Sequence, residues 1–247
     1  MGLQAQRVCA LSGLALFGLF FIGFWPIAGF LTPPSPAASA QEIAAMFAAR
    51  RNEIRIGLII SMFAVSLFVP WSAAIYMQLR RATGRYSPLP HVQMLCGTLL
   101  SMEFIYLIMF WQVAAFREDT PAETIRMLND LAWIPFVGLT STAIVMCLAI
   151  GWAMLDCEPG QTMFPRWAGY YNLWVAFMFT PGTLCVFFKT GPFAWNGIIA
   201  WYLPISMFGI WLPMNTYLVV RAIRQQEAEL RAQAHTERTH VTSAPAN

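Results

Sequence analysis

Charge is scarce in this chain. Asp, Glu, Lys and Arg make up 11% of its 247 residues, whereas a soluble domain carries about 25%. Lysine is almost missing, with Lys189 alone beside fourteen arginines, and there are only three histidines, His91, His235 and His240. A membrane cytochrome needs paired histidines inside its helices and a di-iron hydroxylase needs many more, so both classes are excluded. No HExxH, GxSxG or phosphate-binding loop occurs. The five cysteines form no CxxC pair and read as small packing residues rather than a disulfide or metal framework. The sequence therefore calls for no cofactor and no metal. The basic residues of the C-terminal end alternate with Glu227, Glu229 and Glu237, which removes nucleic acid as a partner.

Apolar residues are what the chain has in abundance. They make up 58% of it, and six runs are each long enough to cross a bilayer: about 8–31, 56–79, 92–116, 132–155, 167–189 and 196–220. A span needs about 20 such residues to cover roughly 30 Å of hydrocarbon. The expected fold is all-α, a membrane bundle of six transmembrane helices over residues 1–222 with short loops that make successive helices antiparallel neighbours. Residues 223–247 read as a polar cytoplasmic tail, helical and then disordered after about His235. The run from Val8 to Leu31 exceeds the 7–15 apolar residues of a signal peptide and reads as a retained helix.

An even number of spans puts both termini on one side. That side holds nine basic residues (Arg7, Arg80, Arg81, Arg85, Arg166, Arg221, Arg224, Arg231 and Arg238) against six on the other. The excess predicts that both termini are cytoplasmic. Abundant alanine and the Arg-over-Lys bias point to a high-GC bacterial genome, hence a bacterial inner membrane.

The loops carry helix signals. Ser39 and Glu42 have capping-box spacing after the proline-rich stretch 32–36, which predicts a short interfacial helix or a plain connector there. Thr120-Pro121-Ala122-Glu123 reads as an N-cap with proline at the first helical position, starting a helix that runs into the fourth span and bends near Pro135. The string Lys189-Thr190-Gly191-Pro192-Phe193-Ala194-Trp195-Asn196-Gly197 predicts a tight turn followed by an anchoring tryptophan. With the six-span layout, this string looks like bacterial multi-pass proteins of unassigned function. The overall plan resembles the DUF4386 group of membrane proteins, a resemblance that implies no activity and transfers no site.

Glu103 is the sharpest chemical signal. It falls near the middle of the third span, where a carboxylate costs roughly 3 kcal/mol and usually faces a bundle interior or a wet cavity. Helical rise puts Ser66, Thr140 to Thr142 (with Ser141 the central one) and Thr180 at similar depth, as hydrogen-bond partners or fellow binding groups. Asn172 and Asn215 could bond to each other across spans five and six, a structural pairing. Pro26, Pro135, Pro181 and Pro204 all fall toward one face, with Trp25, Trp133, Trp195 and Trp201 on the same side. Helix breaks at similar depth could open an aromatic entrance there; kinks in an ordinary aromatic belt would look the same.

These observations lead to a membrane protein that binds or transports a small apolar or weakly polar molecule, with Glu103 as its central polar group. The alternative is an accessory or structural subunit in which Glu103 and the asparagines only fasten helices. An intramembrane enzyme using Glu103 as acid or base would lack a visible second group. The expected partners are membrane lipids, a small-molecule ligand and, for a packing role, further subunits of the same or another chain.

Overall fold

The computed structural model describes residues 2–157 and 163–242, with side chains of the last helix described to residue 236. Every regular element among them is helical. The chain forms α1 (Gly2–Ile22), α2 (Ala40–Ala49), α3 (Arg51–Ser66), α4 (Phe68–Thr83), α5 (Leu89–Ala114), α6 (Ala122–Gly138), α7 (Ser141–Leu155), α8 (Arg166–Phe179) and α9 (Leu203–Thr242). Five stretches are long and apolar enough to cross a membrane: Gly2–Ile27, Arg51–Thr83, Leu89–Ala114, Ala122–Leu155 and Ile198–Thr236.

The expected fifth span, 167–189, is not one of those five. Its α-helix, α8, has 14 residues and gives way at Thr180-Pro181 to an eight-residue 3-10 stretch, Thr180–Phe187. At 1.5 Å and 2.0 Å of rise per residue, the two parts reach about 21 Å and about 16 Å, so the segment covers the distance in a tighter winding. The tail also differs from expectation. α9 continues past His235 to Thr242, while residues 243–247, where disorder was expected, lie outside the described residues, as do residues 158–162 of the loop before α8.

Why these helices belong in a bilayer is visible on α1. Ala10, Gly13, Leu16 and Phe20 form its buried stripe, and Val8, Leu11, Leu14, Leu19 and Ile22 are exposed. The same holds for Phe63 on α3, Leu95, Leu99 and Tyr106 on α5, and Leu148 and Trp152 on α7. A soluble protein does not surround itself with so large an apolar surface. The outward faces meet lipid, and this is a multi-pass membrane protein.

Close packing comes from glycine pairs. Gly23 and Gly57 cross where α1 meets α3, so tightly that a Cβ on Gly57 would stand 2.3 Å from the Gly23 carbonyl oxygen. Gly151 and Gly169 do the same for α7 and α8, at 2.9 Å. Small residues at helix crossings are how membrane helices gain contact without a hydrophobic driving force.

Each break in the long helices stands beside a proline, which cannot donate to the carbonyl one turn back. Pro26 sits in a π-helical turn (Gly23–Ile27) that ends α1, and Pro70 follows the α3–α4 break at Leu67. Pro135 precedes the α6–α7 break at Leu139, Pro181 opens the 3-10 stretch, and Pro204 follows a second π-helical turn, Ile198–Tyr202. The helix from Ala122 does run through to Leu155 with its break just after Pro135, as the sequence implies. Pro70 was not among the anticipated breaks.

In hydrocarbon the carbonyls released at such breaks must find donors within the protein. Ser101 Oγ donates to Val65 O at 2.9 Å, and Arg50 Nη2 to Ile27 O at 3.1 Å.

The start of α1, the 84–88 turn that follows α4 and the C-terminal part of α9 share one end of the bundle, the terminal face. There Gln78 Nε2 donates to Gln6 Oε1 (2.7 Å) and Gln226 Oε1 (2.9 Å), and Arg7–Glu227 and Arg81–Glu229 ion pairs tie α1 and α4 to α9. At the far face α2 lies across the bundle end. Its capping box is formed as expected: Ser39 N–H donates to Glu42 Oε2 at 2.7 Å and Glu42 N–H to Ser39 Oγ at 3.3 Å. The expected cap at Thr120 is not formed. Its hydroxyl turns back to Arg117 O at 3.4 Å, and Pro121 is the capping residue of α6.

Candidate functional site

Two apolar clusters fill the bundle. One, toward the terminal face, gathers Phe68, Trp71, Ile75, Ile150 and Trp211; the other, toward the far face, gathers Phe24, Phe30, Trp111, Trp133 and Trp201. Between them lies a cavity of about 90 Å³. Its wall draws on both clusters and on the broken helices. Phe20 approaches from the end of α1, Val65 and Phe68 flank the α3–α4 break, Phe136, Val137, Leu139 and Thr140 the α6–α7 break, and Phe179 ends α8. Ala200 and Trp201 from the turn before α9, with Pro204 and Ile205 from its first turn, complete the wall. Wherever a helix stops or bends, its side chains no longer interdigitate in register with the neighbouring helix. The space left over is the cavity.

That wall has no polar side-chain atom to spare. Thr140 Oγ1 pairs with Thr183 Oγ1 at 2.8 Å, Trp201 Nε1 donates to Leu31 O at 2.9 Å, and Trp211 Nε1 donates to Asn172 Oδ1 at 2.7 Å. The remaining lining residues are aliphatic, aromatic or proline. Voids lined by Leu, Ile and Phe stay dry and admit small apolar molecules.

Glu103 stands beside this cavity rather than in it. The half-buried side chain lines a second, smaller pocket of about 20 Å³ with Leu107 and Pro135. Leu100, Phe104, Phe136 and Leu139 line both spaces, so these four side chains are the partition. Phe104 and Phe136 meet edge to face, with ring centroids 5.2 Å apart. Thr142 Oγ1, in the first turn of α7, donates to Glu103 Oε2 at 2.7 Å.

The expected hydroxyl partners sort out differently from their depth. Of the run Thr140 to Thr142, it is Thr142 that reaches the carboxyl group, while Ser141 points outward and is exposed. Ser66 is exposed too, its hydroxyl donating to Met62 O at 3.2 Å, and Thr180 donates to Ala176 O at 3.3 Å. Neither bonds to Glu103. Rise along a helix gives depth but not azimuth, and a hydroxyl with no partner opposite returns to its own helix carbonyl.

The four tryptophans expected at an entrance also separate. Trp25 is exposed on the first π-helical turn; Trp133 is fully buried in the far cluster, 4.8 Å from Trp111 by ring centroids. Trp195 is buried and fastens the 28–39 loop by donating to Pro34 O at 2.8 Å. Only Trp201 among the four lines the cavity. Side chains that depth reasoning passed over, Phe104, Phe136 and Trp211, form more of the wall.

Asn172 and Asn215 do meet. Asn172 Nδ2 donates to Asn215 Oδ1 at 3.2 Å and to Ala168 O at 2.9 Å, and Asn215 Nδ2 donates to Trp211 O at 3.0 Å. Among the described residues no group of three His, Cys, Asp or Glu side chains could hold a metal ion.

The fold defines an all-α polytopic membrane bundle with an apolar cavity at its centre. No known protein family, curated protein or solved structure matches the chain.

Proposed function

We propose that this protein binds a small apolar or weakly polar molecule inside the bilayer and passes it across or along the membrane. The cavity at the junction of the broken helices carries this reading: it is predominantly apolar, and the polar side-chain atoms of its wall are already engaged. The prolines beside it support movement as well as binding, since segments without a continuous helical ladder bend at lower cost. A bacterial inner membrane with both termini in the cytoplasm fits the distribution of basic residues, nine toward the terminal face against six toward the other. A purely structural role fits the sealed Asn172–Asn215 contact better than it fits Glu103, whose Oε1 has no hydrogen-bond partner among the described residues.

The test is photolabelling in reconstituted vesicles with a diazirine-bearing alkane, followed by peptide mapping. Leu16, Phe68 and Trp211 line the cavity and are at most 1% exposed, so lipid cannot touch them. Their labelling, competed by excess unlabelled alkane, is the expected result. Labelling confined to lipid-facing residues such as Phe63 and Leu95 would refute the reading.

A further inference from the structure

Glu103 has a feature that the apolar cavity does not explain. It is a carboxyl group within a membrane span, and among the described residues no Lys, Arg or His is paired with it. One oxygen takes the Thr142 hydroxyl and the other is left to the small pocket. A charge removed from water is normally matched by an opposite charge, because its desolvation is otherwise uncompensated. Among the described residues there is no such countercharge.

The small pocket has further chemistry of its own. Phe104 and Phe136 stand in its wall beside the carboxyl group, and aromatic faces attract an ammonium group more than they attract a hydroxyl. Its volume suits a head group and not a hydrocarbon body. The larger cavity, on the other side of the same two rings, suits the body and offers nothing to a head group.

We propose that Glu103 is the recognition group for a protonated amine, and that the ligand is an amphiphilic amine. Its apolar body fills the central cavity and its ammonium group sits between Glu103, Phe104 and Phe136. This rests on the cavity being a binding site and adds the ligand class. Thr142 holds the carboxylate oxygen nearest α7, leaving Oε1 directed at the ammonium group. The partition side chains set selectivity: a bulky or doubly charged head cannot pass Phe104 and Phe136.

The experiment compares three diazirine probes of equal chain length, an alkane, a primary alcohol and a primary amine, in phosphatidylcholine vesicles at neutral pH. The readout is labelling of Leu16, Phe68 and Trp211. A charge-assisted hydrogen bond predicts that the amine labels these residues about tenfold more efficiently than the alkane or alcohol. Glu103→Gln brings the amine down to the level of the alcohol. If that variant does not fold, the N-acetylated amine tested on the unaltered protein carries the same comparison, and it loses the tenfold advantage. Equal labelling by all three probes overturns the amine assignment and leaves the cavity reading intact. Alcohol labelling as strong as amine labelling overturns it in favour of a hydroxyl ligand. No labelling by any probe refutes the cavity reading itself.

Discussion

Trp211 and Asn172 are joined across α9 and α8: the indole N–H donates to Asn172 Oδ1 at 2.7 Å, and both residues are buried. The bond does two things at once. It spends the one polar atom that Trp211 could have turned toward the cavity, and it fixes the ring that forms part of the cavity wall. Asn172 also donates to Asn215 on α9, so a single side chain fastens two helices and positions a wall residue. Trp71 extends the same fastening to α4, donating to Thr216 Oγ1 at 2.9 Å.

Replacing Asn172 with Leu keeps the branched shape and the number of heavy atoms but leaves the Trp211 N–H and Asn215 Oδ1 without partners. The expected loss is about 1–2 kcal/mol, since interhelical hydrogen bonds in membranes are individually modest while orphaned buried groups cost more. Unfolding by titration of a denaturing detergent into mild micelles measures it. The freed Trp211 ring also weakens labelling of the cavity by an alkane probe. A variant of unchanged stability would show that the contact is incidental.

The Gly23–Gly57 crossing predicts a sharper contrast. A Cβ on Gly57 would lie 2.3 Å from Gly23 O and 2.6 Å from Ala28 N, both backbone atoms that cannot swing away. Gly57→Ala therefore forces α1 and α3 apart and lowers the midpoint of thermal unfolding well below that of the unaltered protein. Gly18→Ala meets nothing within 4 Å. It is expected to be neutral or to gain up to about 1 kcal/mol of helix propensity. Thermal unfolding of both variants in one detergent checks the pair.

Which parts of this molecule could be read from its residues follows from the solvent. Lipid is as apolar as a protein core, so the length of a span is written in the sequence while its buried face is not. Ala10 and Leu11 on α1 are adjacent apolar residues, one buried and one exposed, and nothing in their chemistry distinguishes them. The capping box at Ser39 and Glu42 was legible because it is local and polar. The pairing of Glu103 with Thr142 rather than Ser141 was not, because one residue of helical rotation decides it. The cavity was hinted at by Pro135, Pro181 and Pro204, yet its walls are ordinary Phe, Leu and Ala. Only the register of neighbouring helices brings them together.

Filling the cavity should separate binding from folding. Ala143 lines it near the α6–α7 break and is partly buried. Ala143→Leu adds three carbons toward empty space, where they meet little resistance and gain contact. Stability is expected to stay within about 1 kcal/mol of the unaltered protein. Alkane labelling of Leu16, Phe68 and Trp211 falls at least severalfold. Undiminished labelling in a stable Ala143→Leu protein would mean that the probe reaches those residues by another route.

Acidification should act first at the far-face helix α2. The backbone N–H and hydroxyl of Ser39 both donate to Glu42, which holds its carboxyl below the usual carboxylate range. A carboxyl group depressed on folding stabilises the folded form above its unfolded pKa, and that contribution is lost as pH falls through the folded value. The first turn of α2 should thus be ordered at neutral pH and fray below about 4.5, the ordinary value for this group. Amide exchange at Ala40 to Ile43, corrected for the intrinsic rate, reads this out. Glu42→Gln keeps an acceptor for the Ser39 N–H but no titrating charge, so its protection becomes independent of pH. A pH-dependent loss that persists in Glu42→Gln would assign the fraying to another group.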